Sequence, residues 1–304
     1  DKRSKFIHYA PHIAALNNLE FDHADIFRDL ADVQRTFLHL TRLVPRHGCI
    51  VANGDDDNLR ALGPTPWTRV VRVGVGAHCD TRIVDFSESA SGAEFQLLWC
   101  GQPWARVAWS LPGLFNARNA AVAATSAGLA LNPAAPTPLS LESLKHFRGV
   151  KRRQEILVAT PQLTVVEDFG HHPTALTETL HSFRTRYRGS LLTAVFEPRT
   201  NTSRLRSMQG AFMRALAQAD EVYIGALNRP EKLSEQDRFD PEAVVQHLEA
   251  QGVEAHCAAT NAALLERLVA HTLPAAKSTK PRVVVFFTNG SFDGIIGRYV
   301  AAAR

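Results

Sequence analysis

The first part of the chain alternates two kinds of hydrophobic pattern. A short apolar run at 12–19 (HIAALNNL) ends in polar residues, as a buried parallel strand does when its carboxyl end opens onto a site. From 27 to 43, apolar residues recur at intervals of three and four, which predicts an amphipathic helix. Residues 49–52 predict a second strand, and 53–58 a polar, acidic loop.

Short alternating segments replace these patterns between 68 and 110, separated by turns that contain glycine. We expect a small antiparallel subsheet there, with strands at 70–75, 82–86, 94–99 and 106–109. A loop at 111–119 then leads into an alanine-rich helix at 120–131, and a further helix around 141–147 closes the first domain, 1–147.

The second domain, 148–304, opens with a basic, hinge-like stretch at 148–154 (RGVKRRQ). Strands are predicted at 163–167, 191–196, 221–224, 254–256 and 283–288, and helices at 173–187, 208–217, 241–251 and 261–271. Alternating strands and helices over this length predict a parallel, doubly wound sheet, in which ligands bind at the carboxyl ends of the strands. The fold class predicted for the whole chain is therefore α/β.

Composition supports two ordinary domains, since 304 residues with 45% apolar content can build two cores. The longest nearly apolar stretch, 120–131, is shorter than the roughly 20 residues that cross a bilayer, so no membrane partner is expected. The four cysteines form no CxxC pair and suit a reducing compartment, which favours a cytoplasmic protein.

The charge of the chain is close to balanced, because the net charge is only +4 and no long run of like charges occurs. Nucleic acid is therefore not favoured as a partner. Nothing in the sequence indicates an obligate protein partner.

Candidate chemistry begins with polar residues at the predicted carboxyl end of the first strand: Asn17, Asn18, Glu20, Asp22, His23 and Asp25. Carboxylates and an imidazole gathered at one edge could hold a divalent cation or its waters. Equally, Asp22 or Asp25 could N-cap the following helix. The spacing alone does not decide between the two.

Two amide side chains, Asn116 and Asn119, stand just before the alanine-rich helix, in GLFNARN (113–119). At a helix N-terminus they could read a base edge or orient a phosphate. The competing interpretation makes Asn119 an ordinary helix cap.

Adjacent arginines, Arg152 and Arg153, lie with Glu155 between the two predicted domains. Their guanidinium groups could stabilise a transferring phosphoryl group. A solvated basic turn is the alternative.

Three further segments follow predicted strands of the second domain. Asp168, His171 and His172 in EDFGHHPT (167–174) are candidates for a site, against the alternative of a structural histidine pair. The arginine-rich segment EPRTNTSRLR (197–206) suits carboxylate or phosphate recognition. TNGSFDG (288–294) could form an anion-binding backbone nest or a routine turn.

Taken together and in this order, these motifs resemble the ATP-dependent Mur ligase family. The residues that carry the resemblance are DKRSKFIHY (1–9), NNLEFDHADIF (17–27), GLFNARNAAVA (113–123), FRGVKRRQE (147–155), EDFGHHPTAL (167–176), EPRTNTSR (197–204) and TNGSFDGI (288–295). The segment EPRTNT (197–202) resembles the members that add a tripeptide, and it separates the chain from those that add L-alanine.

The resemblance implies the later part of a central ATPase domain, with its parallel sheet and small antiparallel subsheet, followed by a Rossmann-like carboxyl-terminal domain. The implied reaction joins UDP-N-acetylmuramate to the murein tripeptide L-alanyl-γ-D-glutamyl-meso-diaminopimelate, with ATP and Mg²⁺, through an acyl phosphate. No GxxxxGK[ST] phosphate loop occurs in the 304 residues, and the chain opens without methionine. We therefore expect a piece of a longer protein that is inactive alone.

The resemblance also assigns roles to individual residues. It implies that His23 is linked to magnesium, that Arg153 reaches the phosphates with Arg152 beside it, and that His23 and Arg153 serve catalysis. The residues implied near the nucleotide are Asn116, Asn119, Arg152, Asp168, His171 and His172. The residues implied to contact the peptide are Arg199, Asn201, Thr202, Asn289 and Gly290.

Three rival functions stay open at this point: addition of L-alanine to UDP-N-acetylmuramate, glutamylation of a folate, and noncatalytic binding of a peptide or nucleotide.

Overall fold

A computed structural model describes residues 5–273 and 280–304 of the chain. Of the segments that carry the family resemblance, only residues 1–4 lie outside the described residues. The chain forms two compact units, Asp1–Arg148 and Gly149–Arg304. Each unit is built on a six-stranded sheet flanked by helices, which confirms the predicted α/β class.

The strands of the first unit are Ile13–Leu16 (β1), Cys49–Asn53 (β2), Arg69–Gly74 (β3), Thr81–Ser89 (β4), Gly92–Trp99 (β5) and Gln102–Trp109 (β6). Its helices are Leu30–Leu43 (α1), Asp57–Arg60 (α2) and Leu114–Leu131 (α3), with 3₁₀ turns at Phe6–His8 and Glu142–His146. The strands pair in the order β1-β2-β3-β4-β5-β6. Strands β1, β2 and β3 pair parallel, so their carboxyl ends share one edge of the sheet.

The predicted antiparallel subsheet is confirmed for β4, β5 and β6, which pair antiparallel. The prediction was wrong for 70–75, because β3 pairs parallel with β2 and belongs to the parallel part of the sheet. Alternation of buried and exposed side chains has the same period in both kinds of pairing, so the sequence pattern could not distinguish them.

Helix α3 begins six residues earlier than predicted, at Leu114, so Asn116 and Asn119 lie inside the helix. Polar side chains in its first two turns mimic a loop, but Ala117 is fully buried against the core of this unit. The N-cap is Gly113, whose φ of 88° lies in the left-handed region that favours glycine. The interpretation of Asn119 as a helix cap was therefore wrong.

Helix α1 begins at Leu30 rather than at 27. Its N-cap is Asp29, whose side chain accepts a hydrogen bond from the backbone N–H of Asp32. Capping by Asp22 or Asp25 was therefore wrong. Two further predictions differ locally: the loop expected at 53–58 contains the start of α2, and the helix expected at 141–147 is a 3₁₀ turn.

The strands of the second unit are Glu155–Ala159 (β7), Leu163–Asp168 (β8), Leu191–Phe196 (β9), Glu221–Ile224 (β10), Glu254–Cys257 (β11) and Arg282–Phe287 (β12). Its helices are Pro173–Arg186 (α4), Arg206–Leu216 (α5), Pro241–Ala250 (α6), Asn261–Thr272 (α7) and Ile295–Ala303 (α8), with 3₁₀ turns at Pro230–Lys232 and Phe292–Gly294. The strand order is β11-β10-β9-β12-β8-β7.

The predicted parallel sheet is confirmed for five of these strands, and β7 pairs antiparallel with β8. Strand β12 lies in the middle, and Val284, Val285, Phe286 and Phe287 are fully buried. Its burial on both faces explains why it reads as a continuous apolar run.

Sequence reasoning missed β7 and α8. Strand β7 is an edge strand whose exposed Ile156 and half-buried Leu157 blur any alternation, and it follows directly on the basic stretch. Helix α8 follows a turn in which Asp293 has a positive φ, and its glycine at 297 weakens a helical pattern. None of the helices within 5–273 and 280–304 combines the length and the apolar character that crossing a membrane requires.

Candidate functional site

The loop after β1 is tied to α3 at the carboxyl edge of the first sheet. The Asn17 side-chain amide donates to Oδ1 of Asn119 over 2.6 Å, and both residues are exposed. This bond brings together two of the sequence-derived candidates that stand 102 residues apart. Asn119 thus faces the same edge as the end of β1.

Asp55 is a site residue that sequence reasoning did not single out. It follows β2, and its carboxylate accepts hydrogen bonds from the backbone N–H groups of Val75 (2.9 Å) and Gly76 (3.0 Å), which follow β3. Nε of Arg118 lies 3.1 Å from the same carboxylate. Burial alone would raise the pKa of Asp55, but these donors outweigh burial and lower that pKa. The available signal was the acidic loop directly after a strand.

His23 lies on a tight turn and is exposed to solvent. Its φ is 54°, its N–H donates to Oδ1 of Asp22 over 2.7 Å, and its carbonyl accepts from the N–H groups of Ile26 and Phe27. The turn therefore presents the imidazole outward.

The His23 loop supplies single metal ligands rather than a complete metal cage. Within the described residues, three His, Cys or carboxylate groups converge within 4.8 Å at one place, and that place is not this loop. Mg²⁺ that is bound to a nucleotide phosphate usually has only one or two protein ligands, and water and phosphate oxygens supply the others. The donors of the His23 loop fit Mg²⁺ only in this arrangement.

Asn116 uses its side chain within the fold. Its amide nitrogen donates to the carbonyl of Pro112 over 2.7 Å, which closes the turn that leads into α3. In the same turn, the N–H of Gly113 donates to Oε2 of Glu88 on β4 over 2.6 Å. Glu88 was not anticipated, and no spacing in the sequence connects it to this turn.

Asp168 ends β8 and is almost completely buried, with 5% exposure. It accepts from the N–H of Gly170 (2.6 Å) and of Gln154 (2.9 Å), so it fastens the basic stretch to the loop after β8. Burial raises the pKa of Asp168 despite those bonds and the nearby charge of Arg153. Its position favours organising the loop over direct contact with a ligand.

The adjacent arginines have different surroundings. Arg152 is half-buried: its guanidinium donates to Glu167 over 2.6 Å and to the carbonyls of Thr288 (3.0 Å) and Gly290 (2.7 Å). Arg153 is exposed, and its guanidinium lies over the ring of Phe169, 4.9 Å from the centroid. Because Arg152 is held within the second unit, the solvated-turn interpretation was wrong for it, whereas Arg153 presents its charge to solvent.

The two histidines lie where β8 leads into α4. His172 is the N-cap residue of α4, and Pro173 occupies the first helical turn as the sequence predicted. A ring nitrogen of His171, Nδ1, lies 3.0 Å from the carbonyl of Phe169. Both imidazoles are half-buried at the carboxyl edge of the sheet.

Glu197 and Arg199 follow β9, beside the end of β12. Glu197 is buried, with 2% exposure, and accepts a hydrogen bond from the hydroxyl of Thr288. Nη1 of Arg199 lies 3.5 Å from Oε1 of Glu197, and the Arg199 side chain is 36% exposed. A Cβ on Gly290 would lie 2.4 Å from Nε of Arg199, so the absence of a side chain there leaves room for the guanidinium.

Asn289 lies between Thr288 and Gly290 on this edge. Its Oδ1 is buried and has no hydrogen-bond partner in the described structure. An unpaired buried acceptor costs free energy unless a ligand supplies a donor.

The other two peptide candidates belong to a closed loop. Oδ1 of Asn201 accepts from Nη2 of Arg204 over 2.6 Å, and Arg204 also donates to the carbonyls of Asn228 (2.9 Å) and Arg229 (3.1 Å). Thr202 is buried, with 3% exposure. These side chains shape the loop, whereas the Arg199 side chain is partly exposed at the edge and Asn289 has the unpaired oxygen.

The register of the second sheet explains why these segments meet. Asp168 on β8 pairs with Phe287 on β12, and Phe287 pairs with Phe196 on β9. The residues that follow, at 169–172, 197–199 and 288–290, therefore leave three neighbouring strands at one edge, which is where ligands bind in such sheets.

Comparison with known proteins shows the family of both units. A family model described as "Mur ligase middle domain" matches residues 1–127, and one described as "Mur ligase, glutamate ligase domain" matches residues 152–287.

Two relatives carry the name UDP-N-acetylmuramate--L-alanyl-gamma-D-glutamyl-meso-2,6-diaminoheptandioate ligase. The one from Escherichia coli K12 is 38% identical over 229 residues, which are 74% of this chain and 48% of the relative. The one from Haemophilus influenzae is 33% identical over 302 residues, which are 97% of this chain and 60% of the relative.

A crystal structure of a murein peptide ligase from Psychrobacter arcticus 273-4 superposes with a TM-score of 0.65 at 28% identity, covering 100% of this chain and 60% of that one. The chain thus spans about half to three fifths of the length of the proteins that it matches.

Proposed function

Because the chain belongs to the Mur ligase family, we propose that it forms part of a murein peptide ligase. Such an enzyme joins UDP-N-acetylmuramate to the tripeptide L-alanyl-γ-D-glutamyl-meso-diaminopimelate and consumes ATP. The observation that carries the proposal is the carboxyl edge of the second sheet, where the Arg199 guanidinium lies against Gly290 and the preceding residue, Asn289, has an unpaired Oδ1. The two relatives of the same named specificity support it.

The chemistry of this edge suits an acidic peptide. The tripeptide carries several carboxylates, and an arginine guanidinium binds carboxylates in a bidentate fashion. Buried Glu197 lies behind Arg199 and holds the guanidinium at the edge while leaving it 36% exposed. An N–H or ammonium group of the peptide would satisfy the unpaired Oδ1 of Asn289.

The remaining candidates are proposed for the nucleotide side. In the proposed reaction, ATP supplies the phosphoryl group that activates the muramyl carboxylate, with Mg²⁺ at its phosphates. In the first unit, the outward imidazole of His23 would hold one metal ligand position, and Asn116 and Asn119 would order the loops on the nucleotide side. In the second unit, the exposed guanidinium of Arg153 would offer positive charge to a phosphate, and Arg152, Asp168, His171 and His172 would order the loops beside it.

Titration calorimetry with the tripeptide and the chain tests the peptide edge directly. We expect tripeptide binding that weakens at least tenfold in Arg199→Ala, because a charged hydrogen-bond partner is lost. Arg214→Ala is the matched control, since Arg214 is an exposed arginine on α5 in the same unit. Tripeptide affinity that is equal in wild type and Arg199→Ala would overturn the assignment of this edge.

Adding L-alanine as a competitor in the same experiment distinguishes the proposed function from its main rival, L-alanine addition. If the chain served L-alanine addition, L-alanine would compete with the tripeptide at comparable concentration. We expect no such competition, because L-alanine has a single carboxylate and cannot reach both Arg199 and a second donor or acceptor along the edge.

A further inference from the structure

A cluster of three possible metal ligands lies in the second unit, away from the peptide edge. It consists of Glu254 and His256 on β11 and His271 on α7, and one ligand atom from each lies within 4.8 Å of the other two. Within the part of the chain that the structure describes, this is the one place where three such groups converge. Neither the sequence motifs nor the proposed ligase function uses it.

The positions of the three side chains follow from the fold. Glu254 and His256 are two residues apart on a strand, so they point to the same face of the sheet. Tyr223 pairs with His256 on the neighbouring strand β10 and packs among the residues of α7. This is the face that α7 covers, which brings His271 over the strand.

The distances suit a small divalent ion. Nε2 of His256 lies 3.1 Å, and Nδ1 of His271 lies 3.9 Å, from Oε1 of Glu254. Zinc bonds of about 2.0–2.1 Å in tetrahedral geometry separate two ligands by about 3.4 Å, which lies between the two observed separations.

Supporting contacts hold the imidazole rings in place. The hydroxyl of Tyr223, a residue with 0% exposure, lies 3.2 Å from Nδ1 of His271. The His256 ring packs between the Tyr223 ring and the His271 ring, with centroid distances of 4.9 and 5.2 Å. The ring contacts fix the orientation of the His256 imidazole, whereas the Tyr223 hydroxyl lies on the same nitrogen of His271 that faces Glu254 and would give up that contact when an ion binds.

Charge also favours a cation at this position. The neighbouring carboxylate, Glu221, is already paired with the buried guanidinium of Arg282. Glu254 is exposed and lies beside two imidazoles whose ring centroids are 5.2 Å apart. Two imidazoles and a carboxylate form a ligand set that zinc prefers.

We propose that Glu254, His256 and His271 form a binding site for a divalent transition-metal ion of the zinc class, with water completing the coordination. Because β11 is the edge strand of the second sheet, a bound ion would fasten that edge to α7. The ion would stabilise the folded unit by mass action. The site is independent of the ligase proposal, and its three ligands all belong to the second unit.

Zn²⁺ titration of the metal-free chain, followed by calorimetry, tests the site. We expect one Zn²⁺ site that weakens at least tenfold in His256→Ala and in His271→Ala, with a matching loss of the Zn²⁺-induced rise in unfolding temperature. His247→Ala is the matched control, because His247 is an exposed histidine of the same unit, on α6. It should bind Zn²⁺ as wild type does.

Co²⁺ provides a second readout that does not depend on stability. Wild type and His247→Ala should show the visible absorption bands of protein-bound Co²⁺ with four or five ligands. The double variant His256→Ala, His271→Ala should not show these bands. Circular dichroism of the metal-free variants checks that they fold. Zn²⁺ affinity and cobalt spectra that are unchanged in the folded double variant would overturn the proposal.

Discussion

The carboxylate of Asp55 depends on three donors that come from two other segments of the first unit. Two are backbone N–H groups after β3, and the third is Arg118 on α3. The lowered pKa of Asp55 therefore measures how well these segments are assembled. A group of this kind contributes stability above its unfolded pKa, and that stability is lost as the pH falls through the folded pKa.

Arg118→Ala should raise the pKa of Asp55, because the opposing effect of burial remains while the positive charge is gone. At pH 7 the variant should lose about 1 kcal/mol of stability, a modest value because solvent screens a partly exposed pair. The loss should shrink as the pH falls through the lowered folded pKa of Asp55, where the carboxylate becomes protonated. NMR titration of the carboxyl group and urea unfolding at pH 7 and at acid pH measure these effects.

Arg106→Ala is the control for Arg118→Ala, since the Arg106–Glu94 pair is largely exposed. It should leave the pKa of Asp55 unchanged. A pKa of Asp55 that stays low in Arg118→Ala would show that the two backbone donors suffice.

Gly290→Ala should weaken tripeptide binding with little effect on stability. The new Cβ would lie 2.4 Å from Nε of Arg199. The Arg199 guanidinium would move aside, which changes its position at the edge but leaves the backbone in place. We expect about a tenfold loss of affinity, equivalent to about 1.4 kcal/mol. Calorimetry and thermal unfolding of the same samples separate the two effects.

Gly297→Ala is the matched glycine control. Nothing lies within 4 Å of a Cβ at Gly297, which is an exposed position within α8. It should leave tripeptide affinity unchanged and raise stability by up to about 1 kcal/mol. Equal affinity in both glycine variants would contradict a role for the Arg199 position.

At the scale of elements, the basic stretch before β7 is fastened to two neighbouring strands. Arg152 bonds to Glu167 on β8 and to two carbonyls after β12, whereas its neighbour Arg153 is exposed. Adjacent residues of the same type therefore have separable tasks, one in assembling the edge and one available to a ligand.

Arg152→Ala should destabilise the chain by about 2–3 kcal/mol, because a charged donor to three acceptors is lost from a half-buried position. Arg153→Ala should cost less than about 1 kcal/mol, the range of an exposed contact between a cation and an aromatic ring. Urea unfolding of the two variants tests this difference. Equal losses would contradict the division of roles.

Much of the second sheet could be predicted from sequence, because its inner strands β9, β10 and β12 are buried on both faces and stand out as apolar runs bounded by helices. Strand β7 and the start of α3 could not be predicted, since both contain exposed or polar side chains. Their structure is set by contacts with segments that are distant in the sequence. Asp55, Glu88 and Arg118 were missed for the same reason: each acquires its partner only when segments far apart in the sequence come together.

For the whole molecule, the family is established by both units, whereas the substrate depends on the carboxyl edge of the second. The chain spans 48% and 60% of the two named relatives, so a complete reaction is assayed best with the rest of a ligase supplied. A chimera that joins this chain to the part of the E. coli relative that it does not match provides it.

The most direct measurement offers this chimera ATP, Mg²⁺ and UDP-N-acetylmuramate with equal concentrations of tripeptide and L-alanine, and identifies the ligated product by mass spectrometry. We expect the tripeptide product in excess, with strong reduction of that product in Arg199→Ala but not in Arg214→Ala. Circular dichroism establishes that each chimera is folded. A folded chimera that ligates L-alanine in preference to the tripeptide would contradict the proposed substrate.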